Sequence, residues 1–125
     1  MAKVRCSGAV EIYGFAETYL DAVSNERDPN RRREAIDRLF DVNMRYIDQD
    51  GSASGRDAFT RRIDDLAAMM TPTARFELQR PAQYETDCVL FRWQLAEPGN
   101  LPLVAGAEVA VFTDGRVVSL YSIVD

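Results

Sequence analysis

Apolar residues recur at helical spacing in the first half of the chain and at every second position in the last half. Ile12, Ala16, Tyr19, Leu20 and Val23 make one stripe along a first helix, which the spacing extends from a Ser7 cap to about Asn25. A polar segment from Asn25 follows, and Asp28-Pro29 opens a second helix as an N-cap with proline at the first helical position. Ala35, Ile36, Leu39 and Phe40 form its buried face. From Val42 the period becomes two: Val42, Met44 and Tyr46 alternate with Asn43 and Arg45, as in a strand. Asp48-Gln49-Asp50-Gly51 and the small residues through Gly55 read as a loop. A third helix then carries Phe59, Ile63, Leu66, Ala67 and Met70 on one stripe until Thr71-Pro72 stops it.

Beyond Pro72 the pattern predicts strands. Ala74, Phe76 and Leu78 alternate with Arg75, Glu77 and Gln79, and a connection around Pro81 leads past Tyr84 to a dense run, Cys88–Leu95. Leu103–Phe112 and Val117–Val124 are two more strands, joined at Asp114-Gly115, a strong hairpin signal. Helices followed by a meander of strands predict an α+β fold rather than alternating βαβ units. No repeat or linker interrupts the pattern, so residues 1–125 read as a single domain.

Composition narrows what such a domain can do. A chain of 125 residues with 46% hydrophobic content supports one sizeable core without disulfide or metal staples. Its net charge of −5 offers no attraction for nucleic-acid phosphate or anionic lipid, so neither nucleic acid nor membrane is an expected partner. The one basic run, Arg31-Arg32-Arg33, sits among Glu34, Asp37 and Asp41 and reads as a solvated helix face. Two distant cysteines, Cys6 and Cys88, and no apolar leader segment imply a reducing, cytoplasmic setting.

The chain has no histidine. Histidine-based triads and HExxH zinc sites are thereby excluded, and Asp48–Gly51 lacks the EF-hand spacing. No metal and no cofactor is expected. Acid–base chemistry falls to carboxylates, tyrosines, Lys3 or the cysteines, and at neutral pH it calls for a buried carboxylate.

The ordered set Tyr19-Leu20-Asp21-Ala22-Val23, Arg45-Tyr46-Ile47-Asp48, Gly55-Arg56-Asp57-Ala58-Phe59, Phe91-Arg92-Trp93-Gln94-Leu95 and Phe112-Thr113-Asp114-Gly115-Arg116-Val117-Val118 resembles the nuclear transport factor 2-like superfamily, in its SnoaL-like and ketosteroid-isomerase-like branch. The resemblance covers nearly the whole chain. It implies a cone: a strongly curved, mixed or antiparallel sheet wrapped around three helices, with a pocket open at one end. Superfamily members include isomerases, lyases, cyclases and plain binding proteins, so activity must be argued from the site.

Three residues carry the candidate chemistry. Asp48 continues the Val42–Met44–Tyr46 face and falls, by resemblance, where ketosteroid isomerases keep their proton-abstracting aspartate; its other reading is a side chain that accepts N–H groups of its own turn. Tyr19 lies on the apolar stripe and corresponds to the oxyanion-binding tyrosine, or else is a core tyrosine with a backbone partner. Glu108 shares a face with Ala110 and Phe112, near where those isomerases hold a protonated aspartic acid; otherwise it is solvated or paired with Arg92. Trp93, Tyr46, Phe59, Arg92, Phe112 and Tyr121 are the candidates for contact with a ligand. Arg92 matches the arginine of limonene-type epoxide hydrolases, but Gln94 and Ser122 stand where that resemblance needs aspartates. Ser122 and Leu120 likewise replace the acid–base pair of SnoaL-type cyclases.

The resulting expectation is a cofactor-free isomerase, lyase or cyclase acting on a small apolar carbonyl compound. The alternative is a non-catalytic pocket for a small hydrophobic molecule, or a dimerisation module. Apolar residues on both faces of the late strands further predict a homodimer through the outer face of the sheet.

Overall fold

A computed structural model describes residues 12–125; the Ser7 cap and Cys6 lie outside the described residues. The first helix is shorter than its stripe. Ile12–Gly14 form a bend and turn, Gly14 takes a positive φ of 91°, and α1 runs over Phe15–Tyr19 before widening into a π-helical turn at Leu20–Ser24. The stripe still buries Ala16, Tyr19, Leu20 and Val23. Helix α2 spans Pro29–Leu39, with the Asp28 side chain accepting from the Asn30 N–H at its start. Within the basic run, Arg31 and Arg33 are exposed. Arg32, predicted to be solvated, is instead buried, with its guanidinium held by Asp64 at 2.8 Å and by the Glu26 carbonyl.

Phe40, placed on α2 by its spacing, is already the first residue of β1 (Phe40–Asp48). A register shift between Phe40 and Arg45 keeps Phe40, Met44 and Tyr46 buried while turning Val42, expected inside with them, out to 57% exposure. The segment read as a loop after Asp48 pairs back on β1 as a short strand, β2 (Gly51–Ser54). Helix α3 covers Arg56–Ala68 and ends just before Met70.

The remaining strands are β3 (Arg75–Leu78), β4 (Gln83–Glu85), β5 (Cys88–Ala96), β6 (Val104–Thr113) and β7 (Arg116–Val124). β4 was expected to be connection only. It pairs with β5 further along the same edge as β3, and the two are interrupted around Pro81, which has no N–H to give to a ladder. The sheet is mixed, with order β2-β1-β7-β6-β5-β3, and β1 runs parallel to β7. Asp114 and Gly115 both adopt positive φ, as the tight β6–β7 hairpin requires. The core lies between the helices and one sheet face and is dominated by rings: Phe15 meets Phe112 at 5.1 Å and Phe40 meets Phe59 at 4.8 Å. No helix among the described residues is long and apolar enough to cross a membrane.

Asn25 was read as part of a polar break, yet it is only 8% exposed. Its side chain behaves as a neighbouring strand would: Nδ2 donates to the Phe76 carbonyl at 2.9 Å and Oδ1 accepts from the Phe76 N–H at 2.7 Å. Replacing Asn25 by alanine strands both backbone groups of an edge strand. We expect Asn25→Ala to lower unfolding free energy by about 1–3 kcal/mol in urea titrations, the usual range for orphaning buried polar groups. Exposed Asn100→Ala serves as the control and should leave the midpoint in place.

Candidate functional site

A cavity of about 300 Å³ lies between the helices and the inner sheet face. Tyr19, Leu20 and Ser24 close one side, and Arg62, Ile63 and Leu66 of α3 close another. Tyr46, Trp93, Glu108 and Ser122 project from the sheet, and Asp48 comes from the end of β1. Apolar Met69, Met70, Leu95, Val104 and Val124 complete the wall, and Met69, at 76% exposure, marks where the cavity meets solvent. Asp48, Tyr19 and Glu108 therefore share one cavity with Trp93 and Tyr46.

Strand alternation sends Gly106, Glu108, Ala110 and Phe112 inward along β6. Glu108 is 9% exposed and lies opposite Ser122 in the ladder, whose hydroxyl is 3.1 Å from its Oε2. Its Oε1 has no hydrogen-bond partner among the described residues. Burial pushes the Glu108 carboxyl up to about 8, and the Ser122 hydroxyl offsets only part of that rise. Glu108 is accordingly a neutral acid at neutral pH, able to donate.

Asp48 is displaced the other way. Its side chain is 7% exposed, and partial burial works against its charge. The Arg62 guanidinium at 2.7 Å, the Asp50 N–H at 2.8 Å and the Tyr46 hydroxyl outweigh that burial and hold the carboxyl below its ordinary value. The turn role expected of Asp48 is present, its Oδ1 accepting from the Asp50 N–H, while its Oδ2 meets Arg62 at the cavity wall. Arg62 also reaches Asp50 at 3.1 Å.

Two tyrosines join these parts. The Tyr46 hydroxyl lies within hydrogen-bonding reach of Ser122 and Asp48, so a polar chain runs from Glu108 through Ser122 and Tyr46 to Asp48. Tyr19 is buried beside Ser24. Burial first, then the ionised forms of Glu108 and Tyr46, push its pKa well above the usual tyrosine range, so it stays a neutral hydroxyl. Trp93 packs edge-on against Phe76 at 5.4 Å, and its Nε1 has no partner among the described residues.

The other ligand-contact candidates do not reach the cavity. Phe59 and Phe112 are consumed by the ring core, Phe59 tilted against Tyr46 and Phe112 edge-on to Phe15. Arg92 and Tyr121 have the wrong strand parity: their inward neighbours are Trp93 and Ser122, and they emerge on the outer sheet face. Arg92 there approaches Asp125 at 3.8 Å, so its suggested pairing with Glu108 does not occur. Ser122 and Arg62 are the polar cavity-lining positions the sequence reading missed. Ser122 was weighed only as a missing aspartate. Arg62 carried a usable signal, since it sits three residues after Phe59 and four before Leu66, on the flank of the α3 stripe.

Residues 16–120 match the model of a SnoaL-like domain. Among solved structures, a candidate isomerase of the SnoaL-like family from Agrobacterium tumefaciens is 28% identical, with a TM-score of 0.79 over 88% of this chain and 93% of that one. A nuclear transport factor 2-like protein of unknown function from Cytophaga hutchinsonii is 10% identical, with a TM-score of 0.69 over 99% and 95%. A candidate ketosteroid isomerase from Kribbella flavida is 14% identical, with a TM-score of 0.66 over 90% and 76%. The fold is the cone these structures share. No curated protein matches the chain.

The buried acid makes stability depend on pH with a definite sign. Between its ordinary value of 4.5 and about 8, the unfolded chain gives up the Glu108 proton while the folded chain keeps it. Stability should therefore fall as pH rises through that window and level off above it. Urea midpoints measured across the window test this. In Glu108→Gln, which keeps the shape without the titration, that part of the slope should vanish.

Proposed function

The chain belongs to the SnoaL-like domain family, and on that premise we propose that it is a cofactor-free enzyme of the isomerase, lyase or cyclase kind, acting on a small, largely apolar carbonyl compound. One observation carries the reading: two carboxyl groups face one cavity with proton affinities displaced in opposite directions. Such a pair divides acid and base roles without a histidine. Asp48, kept ionised by Arg62, takes a proton from the carbon beside the carbonyl. Charge moves onto the substrate oxygen, where the neutral Glu108 carboxyl and the Tyr19 hydroxyl donate to it. Return of the proton at another carbon is isomerisation; expulsion of a leaving group, or attack on a second carbonyl, gives the lyase or cyclase outcome. Arg62 keeps Asp48 ionised beside an apolar wall and makes that carboxylate a weaker base, which suits substrates whose C–H is already acidified.

Deuterium uptake from D2O into 2-decalone, a ketone small enough for the cavity, tests the chemistry by mass spectrometry. Wild type should exchange the protons beside the carbonyl faster than buffer, and Asp48→Asn should cut that rate roughly a hundredfold or more. Binding of the ketone with exchange no faster than buffer would favour the plain ligand-binding reading. Equal exchange by wild type and Asp48→Asn removes Asp48 from the mechanism.

A homodimer is part of the same proposal. On the outer sheet face, Ile47, Tyr121, Val109 and Leu90 lie in register across four adjacent strands, an apolar row rather than a solvated one. Tyr121 is 39% exposed and Ile123 61% exposed beside it. Two-fold pairing of this face would cover both. Light scattering at micromolar concentration should give twice the monomer mass, with Ile123→Glu shifting it toward the monomer. A concentration-independent monomer in the wild type defeats the idea.

A further inference from the structure

Two polar atoms are sealed in the cavity without partners among the described residues: Nε1 of Trp93 and Oε1 of Glu108. Orphaned buried polar groups destabilise a fold, so a native site keeps them for something that arrives. Their placement follows from the ladder. Trp93 lies opposite Gly106 and Phe91 opposite Glu108, so the two side chains are diagonal neighbours on one face.

Gly106 decides where the indole goes. A Cβ built there would stand 2.8 Å from Cζ2 of Trp93 and 2.4 Å from the Ile123 carbonyl oxygen, closer than real contacts allow. Without that Cβ, the six-membered edge of the indole settles over the β6 backbone, beside the atoms that bear Nε1. Glu108 is the next inward residue on the same strand, about 6–7 Å further along. The indole N–H and the Glu108 carboxyl are thereby brought to the same stretch of wall. Tyr19, by contrast, already has Ser24 within hydrogen-bonding reach.

We propose that the Trp93 indole N–H and the Glu108 carboxyl together receive the acceptor oxygen of the substrate, and that Gly106 is the positioning residue that aims the indole at it. An indole N–H only donates. A carboxyl whose Oε2 takes the Ser122 hydroxyl presents Oε1–H as a second donor. The group that satisfies two donors and offers none in return is a carbonyl oxygen, with its two lone pairs. This assignment rests on the carbonyl-compound reading above and deepens it: the oxygen anchor is the Trp93–Glu108 pair, with Tyr19 a secondary donor. It also sets selectivity, since an amine or a hydrocarbon of the same shape leaves at least one donor unmet.

The test needs no turnover, because Trp93 is the single tryptophan of the chain and yields one indole N–H resonance in nitrogen-15 spectra. Titration of the wild type with 2-decalone should move that resonance downfield, and decalin at saturation should not. Trp93→Phe should bind 2-decalone about three- to tenfold more weakly, as expected for one lost hydrogen bond of about 0.5–1.5 kcal/mol, while decalin binding changes little. Gly106→Ala should shift the indole resonance already in the ligand-free protein. If 2-decalone perturbs other cavity resonances and leaves the indole N–H in place, or if ketone and hydrocarbon shift it alike, the anchor is wrong. No response anywhere in the cavity at saturating ketone overturns it equally. A downfield shift without deuterium exchange would keep the anchor and refute the enzymatic reading; exchange with an unmoved indole would do the reverse.

Discussion

Everything at the site depends on the two-residue alternation of β5, β6 and β7. The cavity sees Trp93, Glu108 and Ser122; solvent, or another surface, sees Arg92, Val109 and Tyr121. Because a strand has only two faces, a slip of one residue would exchange these sets, putting an arginine and a tyrosine inside and the acid outside. The inward set holds one ionisable group, and burial alone makes that group a proton donor. The outward set is mostly apolar. The pleat thus separates a chemically biased interior from a sticky exterior with no other device.

Within the interior, the opposed states of Asp48 and Glu108 are a matter of position along the cavity. Asp48 sits at a strand end, where a turn N–H and a helix arginine can reach it. Glu108 sits mid-strand between Phe91 and Ser122, where only a hydroxyl can. A carboxylate at a strand end collects donors and stays charged; one in mid-strand is desolvated and stays neutral. The difference between aspartate and glutamate matters less than where each stands on its strand.

The order of elements, the α+β class and the hairpin at Asp114-Gly115 were legible because they rest on local periodicity and turn chemistry. The inward placement of Tyr46 and Trp93 was legible for the same reason, whereas that of Glu108 was left open between the pocket, solvent and a pairing with Arg92. What escaped were departures from strict period. A register shift in β1 turned Val42 outward. Another in the β6–β7 ladder, between Val111 and Phe112, buries Val117, Leu120 and Ser122, so counting by twos from Val117 to Tyr121 fails. Aromatic character misled at Phe59 and Phe112, whose rings are taken up by core partners, Phe40 and Tyr46 for the first and Phe15 for the second. Arg32, Arg62 and Asn25 escaped because their partners, Asp64, Asp48 and Phe76, are tertiary neighbours that no window of sequence contains.

β7 is the last element in the chain, yet it lies in the middle of the sheet, between β1 and β6. Opening at this end of the chain is therefore not the fraying of an edge. Withdrawing β7 cuts two ladders at once, removes Ser122 from Glu108 and divides the sheet into halves that share no hydrogen bonds. The backbone amides of β7 should then exchange with solvent only as slowly as the whole molecule unfolds, whereas those of β2 and β4 exchange through small local openings. The cavity has no half-assembled form: it is present with β7 in place and gone without it.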